Sequence, residues 1–483
     1  MAVDAAPAMI ASPSAARPRW FEGRWRPGLW RRAARVAFAL VAVALATVWI
    51  QGSISHYLPK DWSRAHEFDG LEDYFVARMY LDGKNPYTPA GLAELKRDVI
   101  GHPPSTAFWF LPIGHFDKAA AAELMALSTW ALLLVHVYLC ARALKFPAPA
   151  ALAVLVFGWT FTTDGMTMHW HAIQLSEQIA FLLTLAWLFL RRNREIPAGM
   201  ALGAAATLKL FPGLLILFLL LARRFRAFAA AVVVYLVVAA IMTARFGLST
   251  WLLFMNMQGT ISRGWMGNIR NAGLQGIVLR FFVPLCTGNA TPVPRATVVA
   301  MLVAAALLLA AIGLSLPALR RARTEDPRFV DVPYSVFVLL AAFLNPWIWE
   351  HYYVFMIQPA FVFAARAIEA VRGSGRAWLD ETTLGAPLAR DAGISALVAA
   401  GLCACGALIK VNVYAKMIIP DLYRHNPTPW YHHQLHLIET INWLPWAIIL
   451  LVGYVALWYF SPGRAQVQST TQWTGTASRA AST

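Results

Sequence analysis

Charge is scarce in this chain: Asp, Glu, Lys and Arg make up only 14% of 483 residues, while 59% are hydrophobic. A soluble domain carries roughly 25% charge, so water is excluded as the main solvent. The formal charge of +16 would suit nucleic acid if it lay on one face. Instead most Lys and Arg stand in short clusters between apolar runs, the pattern of membrane topology, so the expected partner is a lipid bilayer and not a nucleic acid. Cysteine is equally sparse, with four at 140, 286, 403 and 405, three of them in apolar runs. No disulfide framework follows. Cys403 and Cys405, two apart, point to different faces of a helix and make a poor metal pair. There is no GxxxxGK[ST] loop, no HExxH and no Asp-X-Asp, so coupling to ATP hydrolysis and zincin chemistry lack their residues. His169-Trp170-His171 has no third ligand nearby, and neither a metal nor a cofactor is expected.

What is abundant is apolar length. A helix needs about 20 residues to cross a bilayer, and runs of that kind lie near 34–52, 121–144, 148–163, 172–190, 227–245, 296–317, 394–412 and 443–460. The 20 Trp and 14 Tyr suit the headgroup boundary, where a ring buries its body and keeps its polar tip wet. The basic stretch Arg17 to Arg35 precedes the first run without a cleavable signal, which reads as a signal anchor. Two further apolar stretches differ from the rest. Residues 196–222 have Arg191, Arg192 and Arg194 before them and Arg223, Arg224 and Arg226 after. Equal positive flanks place both ends on the cytoplasmic side, so the chain should enter and return, turning near Lys209–Pro212. Residues 333–368 sit likewise between Arg320–Arg328 and Arg366–Arg372, with Asn345-Pro346 and Glu350-His351 in the middle.

Two helices per hairpin give about twelve, all in one membrane domain over 34–460. Residues 1–33 form a basic cytoplasmic segment, and 461–483, rich in Ser, Thr, Ala and Gln, a disordered cytoplasmic tail. Both termini are then cytoplasmic in an inner (plasma) membrane. The long segments 53–120, 246–295 and 413–442, together with both hairpin turns, emerge on the opposite, periplasmic face.

Residues able to do chemistry gather on that face. Lys209, Glu350 and His351 lie at hydrophobic depth, where an ionisable group costs at least ~2.5 kcal/mol unless paired or hydrated. They either face a wet cavity, or Glu350 and Lys209 pair to pin the two hairpins together. Asp69 and Asp73, four apart in His66–Tyr87, would share a helix face and raise each other's pKa. Such a pair can supply a general base for a hydroxyl, or merely be a solvated acidic face. In Arg263–Phe282, Arg270 and Arg280 suit phosphate, while Asn268 and Asn271 suit sugar or phosphate oxygens. The alternative there is arginine snorkelling to headgroups.

Taken together these segments resemble glycosyltransferase family 87, the polyprenol-phosphate-mannose-dependent α-mannosyltransferases of the GT-C superfamily. The likeness runs from Asp69 through Tyr74, Ala77-Arg78 and Gly83-Lys84-Asn85-Pro86-Tyr87. His102-Pro103-Pro104 is similar to the family's aromatic-Pro-Pro, with His for the commoner Tyr. Glu177-Gln178 stands where the family tends to carry Gly-Gln. Thr207 to Pro212 looks like the lysine-and-proline break, and Asn268 to Arg280 like the Asn-rich loop ending in Arg. Asn345-Pro346-Trp347-Ile348-Trp349-Glu350-His351-Tyr352 resembles the Pro-X-X-Trp-X-His pattern.

The resemblance implies an all-α GT-C membrane protein with an outward-facing cavity and an inverting, metal-independent transfer. A polyprenyl-phosphate sugar would place its phosphate against Lys209, Arg270, Arg280 or His351. A hydroxyl of a lipid or glycan acceptor would be deprotonated by Asp69, or by Asp73 if the offset differs. Tyr74, Tyr87, His102, Gln178, Asn268, Asn271, Trp349 and Glu350 would contact substrate. Two other classes compete: a transporter or flippase of lipid-linked saccharides, which calls for internal pseudo-symmetry not visible in the sequence, and an inactive scaffold in envelope assembly.

Overall fold

The computed structural model describes residues 36–37, 39–41, 43–44, 71–97, 99–146, 148–161, 174–265, 271–282, 293–377, 385–418 and 429–460. Among these, every regular element is helical. Asp69, Asn268 and Arg270, most of the first apolar run and both terminal segments lie outside the described residues.

A first layer of short helices precedes the long ones: α1 (Glu72–Leu81), α2 (Pro89–Leu95) and α3 (Pro104–Phe110). Proline starts α2 and α3, where its missing N–H costs nothing, and the Thr88 side chain caps α2 by accepting from the Gly91 N–H. The bundle follows with α4 (Lys118–Ala143), α5 (Pro149–Phe161), α6 (Ser176–Arg191), α7 (Glu195–Leu208), α8 (Gly213–Leu221) and α9 (Phe225–Phe246). After α10 (Leu248–Trp265) and α11 (Leu274–Phe282) come α12 (Pro294–Thr324), α13 (Asp331–Phe343) and α14 (Ile357–Ala377). The chain closes with α15 (Gly385–Ile418) and α16 (Pro429–Phe460). The last two run on into 413–442, so that segment is largely helical at both ends.

Among the described residues, four stretches are long and apolar enough to cross a membrane: Lys118–Ala143, Phe225–Phe246, Pro294–Thr324 and His351–Ala370. The chain is thus a polytopic membrane protein. Every residue of α13 is buried, which makes it the axis of the bundle. In contrast α12 keeps Leu302 and Leu309 about two-thirds exposed, at 65% and 68%, the apolar surface a lipid solvent tolerates.

Both expected hairpins are present. In the first, α7 ends at Leu208, Lys209 is extended at φ −146°, ψ 151°, and α8 begins at Gly213. That α8 returns toward the start of α7 follows from α9, which runs parallel to α7: Gly199 lies against Ala227, and Gly203 against Ala231. At the shared base, Arg224 bonds to Asn193, to Glu195 at 3.3 Å and to the Ala322 carbonyl at 3.2 Å. Glycines four apart let the two backbones approach; a Cβ on Gly203 would stand 2.6 Å from the Ala231 carbonyl oxygen. The arms are 14 and 9 residues long, or ~21 and ~14 Å at ~1.5 Å per residue, so the turn reaches into the hydrophobic layer without a full crossing by each arm.

In the second hairpin α13 and α14 meet at their base through Asp331. Its fully buried carboxylate lies 2.8 Å from Arg191 Nε and 2.8 Å from Arg366 Nη2, and accepts from Trp187 Nε1 at 2.9 Å. Arg191 also donates to the Ala143 carbonyl at 2.8 Å. The arginine clusters that flank the apolar runs therefore tie α4, α6, α13 and α14 together at one end. The hairpin turns are at the other.

Candidate active site

Opposite the arginine end, four segments remote in sequence are joined by hydrogen bonds. The first is the short-helix layer. Asp73, in the first turn of α1 and 2% exposed, places both carboxylate oxygens 2.8 and 2.9 Å from His102 Nδ1. Carboxylate oxygens only accept, so the proton on Nδ1 is the one shared with Asp73. The backbone around His102 is held on three sides. Gly101 N–H donates to Glu72 Oε1 at 2.8 Å, Gln258 Nε2 donates to the Gly101 carbonyl at 3.3 Å, and the Tyr87 hydroxyl donates to the His102 carbonyl at 2.7 Å. Burial raises the Glu72 pKa above 4.5; the neighbouring His102 and Arg97 and the Gly101 N–H offset this in part, while Asp73 adds to it.

This layer is fastened to the first hairpin. Ser105 Oγ donates to the Thr207 carbonyl at 2.7 Å, Thr106 Oγ1 to the Leu208 carbonyl at 2.8 Å, and Trp109 Nε1 to Thr207 Oγ1 at 2.8 Å. Those carbonyls belong to the open C-terminal turn of α7, which has no helical partner for them. The next residue is Lys209. Its Nζ lies 3.4 Å from the Tyr352 hydroxyl and 5.1 Å from the Tyr352 ring centroid, a cation–π arrangement.

Tyr352 belongs to the turn of the second hairpin, a 3-10 stretch over Glu350–Met356. Asn345 Nδ2 donates to the Tyr352 hydroxyl at 3.2 Å and to the Trp347 carbonyl at 2.7 Å. The fourth segment locks onto this turn through Asn271. Its Oδ1 accepts from Gly273 N–H and Ile348 N–H, both at 2.9 Å, and its Nδ2 donates to the Pro346 carbonyl at 2.9 Å. Gly273 must be glycine here, since a Cβ would stand 2.8 Å from the Asn345 carbonyl oxygen. Arg280 Nη1 donates to the Asn271 carbonyl at 2.9 Å.

The candidate residues therefore divide. Lys209, His351, His102 and Asp73 are brought into one hydrogen-bonded assembly or its immediate neighbours; the His351 ring lies 4.8 Å from that of Tyr352. Asn271, expected as a sugar contact, is fully buried and braces two loops. Tyr87 is 1% exposed, and its hydroxyl serves His102. The Tyr74 hydroxyl donates to the Phe116 carbonyl at 3.0 Å, alongside Arg78 Nη1 on the Gly114 carbonyl at 3.1 Å. These tyrosines shape the layer. Gln178 Nε2 lies 3.0 Å from Thr129 Oγ1, between α4 and α6, beside Glu177 on His136 at 2.9 Å. The Trp349 carbonyl accepts from Tyr352 N–H at 3.0 Å and opens the 3-10 turn. The Glu350 side chain lies outside what is described.

Two contributions escaped the sequence reading. Ser105 and Thr106, next to the double proline, anchor the layer, and Tyr352 closes the lysine site. A hydroxyl pair directly after Pro-Pro was the available signal for the first. The second had only its place at the end of a motif.

An all-helical, multi-span bundle with a polar assembly of acid, imidazole and lysine at one end defines a polytopic membrane protein with a site built from its inter-helix turns. The family model of Glycosyltransferase family 87 matches residues 101–350, more than half of the chain, and the chain belongs to that family: it is a membrane glycosyltransferase. The matched stretch includes His102, Gln178, Lys209, Asn268 to Arg280 and Asn345 to Glu350, while Asp69, Asp73, Tyr74 and Tyr87 precede it. No curated protein matches the chain in a sequence comparison.

Proposed function

We propose that the enzyme moves a sugar, mannose in the first instance, from a polyprenyl-phosphate donor to a hydroxyl of a lipid or glycan acceptor on the periplasmic side of the inner membrane. The observation that carries this reading is the fastening of the carboxylate-bearing layer to the residues just before Lys209. These bonds tie the layer that carries Asp73 and His102 to the segment that leads into Lys209, which supports an acid–base group and a phosphate-binding cation acting in one site. The donor's phosphate binds Lys209, with His351 and Arg270 as further ligands, so the charge of the leaving phosphate develops against fixed cations. Arg280 acts one step back by holding the Asn271 loop. Asp69 takes the acceptor's proton, and the hydroxyl oxygen attacks the anomeric carbon from the face opposite the phosphate, with inversion. The Asp73–His102 pair, one helical turn from Asp69 in sequence, sets the shape and charge of the acceptor side.

Purified protein in lipid nanodiscs, given a polyprenyl-phosphate hexose and a membrane-lipid acceptor extract, should release polyprenyl phosphate and form a glycosylated product of inverted configuration. Movement of the intact donor across vesicles without release of polyprenyl phosphate would establish a transporter instead.

A further inference from the structure

The Tyr352 hydroxyl has an unusual hydrogen-bond balance. Both groups beside it are pure donors: Asn345 Nδ2 at 3.2 Å and Lys209 Nζ at 3.4 Å. The orientation of the Asn345 amide is fixed independently, because the same NH2 group donates to the Trp347 carbonyl at 2.7 Å. A phenol oxygen that accepts from two sides must send its own hydrogen elsewhere. Among the described residues no acceptor takes it, although Tyr352 is 1% exposed. Leaving a buried donor unmet is costly. Lys209 adds a second imbalance: no acidic side chain pairs with it among the described residues, and it sits at the break of a membrane hairpin, where a lone charge is expensive.

Both imbalances have the same sign. An ammonium with no acidic partner among the described residues and a hydroxyl with only its hydrogen to give are together short of a negatively charged acceptor. The ring itself cannot swing away, packed by Phe211, Phe355 and His351 at centroid distances of 5.7, 5.5 and 4.8 Å. Two donors onto the phenol oxygen also polarise its O–H and strengthen its donation.

We propose that the Tyr352 hydroxyl is a direct ligand of a phosphate oxygen, donating its hydrogen to the anion that Lys209 neutralises. Asn345 positions it and does not touch the anion. This rests on the lipid-phosphate donor reading above and assigns that site a neutral, directional ligand. The same chemistry fits free phosphate, so the probes must separate the two sources.

The test is equilibrium binding of farnesyl phosphate, farnesol and inorganic phosphate to the full chain in nanodiscs, comparing wild type with Tyr352→Phe. Phenylalanine keeps the ring, its packing and the cation–π contact, and a thermal unfolding curve checks that the variant is folded. Farnesyl phosphate affinity should fall on the order of tenfold or more, as for loss of a hydrogen bond to a charged group, with farnesol binding unchanged. Asn345→Ala should give a smaller loss in the same direction. A loss confined to farnesyl phosphate supports the site and makes it one for lipid-linked phosphate; an equal loss for inorganic phosphate supports it as a site for phosphate from either source. Unchanged farnesyl phosphate binding in folded Tyr352→Phe overturns the assignment while leaving the donor reading intact. A wild type that binds farnesol as tightly as farnesyl phosphate overturns both.

Discussion

Thr106 Oγ1 donates to the carbonyl of Leu208 at 2.8 Å, so a helix that starts at a double proline is bolted to the last helical residue before Lys209. Thr106→Val keeps the volume and removes the donor. It should cost ~1–2 kcal/mol of stability and lower transfer at saturating substrates by more than that loss of fold explains, while Thr106→Ser restores most of both. Unfolding curves and turnover of the two variants check this. Equal behaviour of Val and Ser would sever the link between the two segments.

At the opposite end, Asp331 collects Arg191, Arg366 and Trp187 on one buried carboxylate. Asp331→Asn leaves two arginines facing a neutral group. Breaking a buried pair from one side costs ~3–5 kcal/mol, so thermal unfolding should drop sharply. Donor binding per folded molecule should be unchanged, since this cluster is at the far end from Lys209. A marked loss of affinity in the surviving folded fraction would contradict the division of the bundle into a structural and a chemical end.

The parallel contact of α7 with α9 rests on two glycines. A methyl at Gly203 would come 2.6 Å from the Ala231 carbonyl oxygen and 2.9 Å from Val234 Cβ. Gly203→Ala should therefore destabilise by ~1–3 kcal/mol, as overpacking does, although alanine is the better helix former. Stabilisation by this substitution would show that the two helices are further apart.

Glu72 binds a proton more tightly when folded, chiefly because burial penalises its charge. The sign follows from linkage: its contribution is fully present below the unfolded value near 4.5 and is lost as pH rises through the higher folded value. Glu72→Gln can still accept from Gly101 N–H and carries no charge, so it should remove that part of the decline. The comparison is melting temperature against pH for the two proteins. Parallel curves would mean that Glu72 stays ionised at no cost.

Much of the architecture was legible because a bilayer imposes coarse rules. Positive flanks around 196–222 and 333–368 were enough to expect hairpins, and the break at Lys209–Pro212 lies between α7 and α8. Side-chain roles were less legible. Asn271 and Tyr87 are residue types that suit a sugar, but here neighbouring loops take up their polar groups. Composition cannot distinguish an amide that waits for a ligand from one that satisfies buried backbone. The pairing of Asp73 with His102 was hidden for a related reason: sequence separation of 29 residues carries no signal until the intervening helices fold. Expecting Asp73 to pair with Asp69 drew on spacing alone, and Asp69 lies outside the described residues while α1 begins at Glu72.

Turnover of Asp69→Asn beside Asp73→Asn tests the proposal that Asp69 takes the acceptor's proton. Both are measured with donor and acceptor saturating, alongside donor binding and a thermal unfolding curve. Asp69→Asn keeps size and much of the hydrogen bonding but cannot accept the proton, so turnover should fall about a hundredfold or more with donor affinity intact. Asp73→Asn, which loosens the hold on His102 without removing the base, should be milder. Loss in Asp73→Asn with near-normal Asp69→Asn would move the base to Asp73, and near-normal turnover in both would contradict the account.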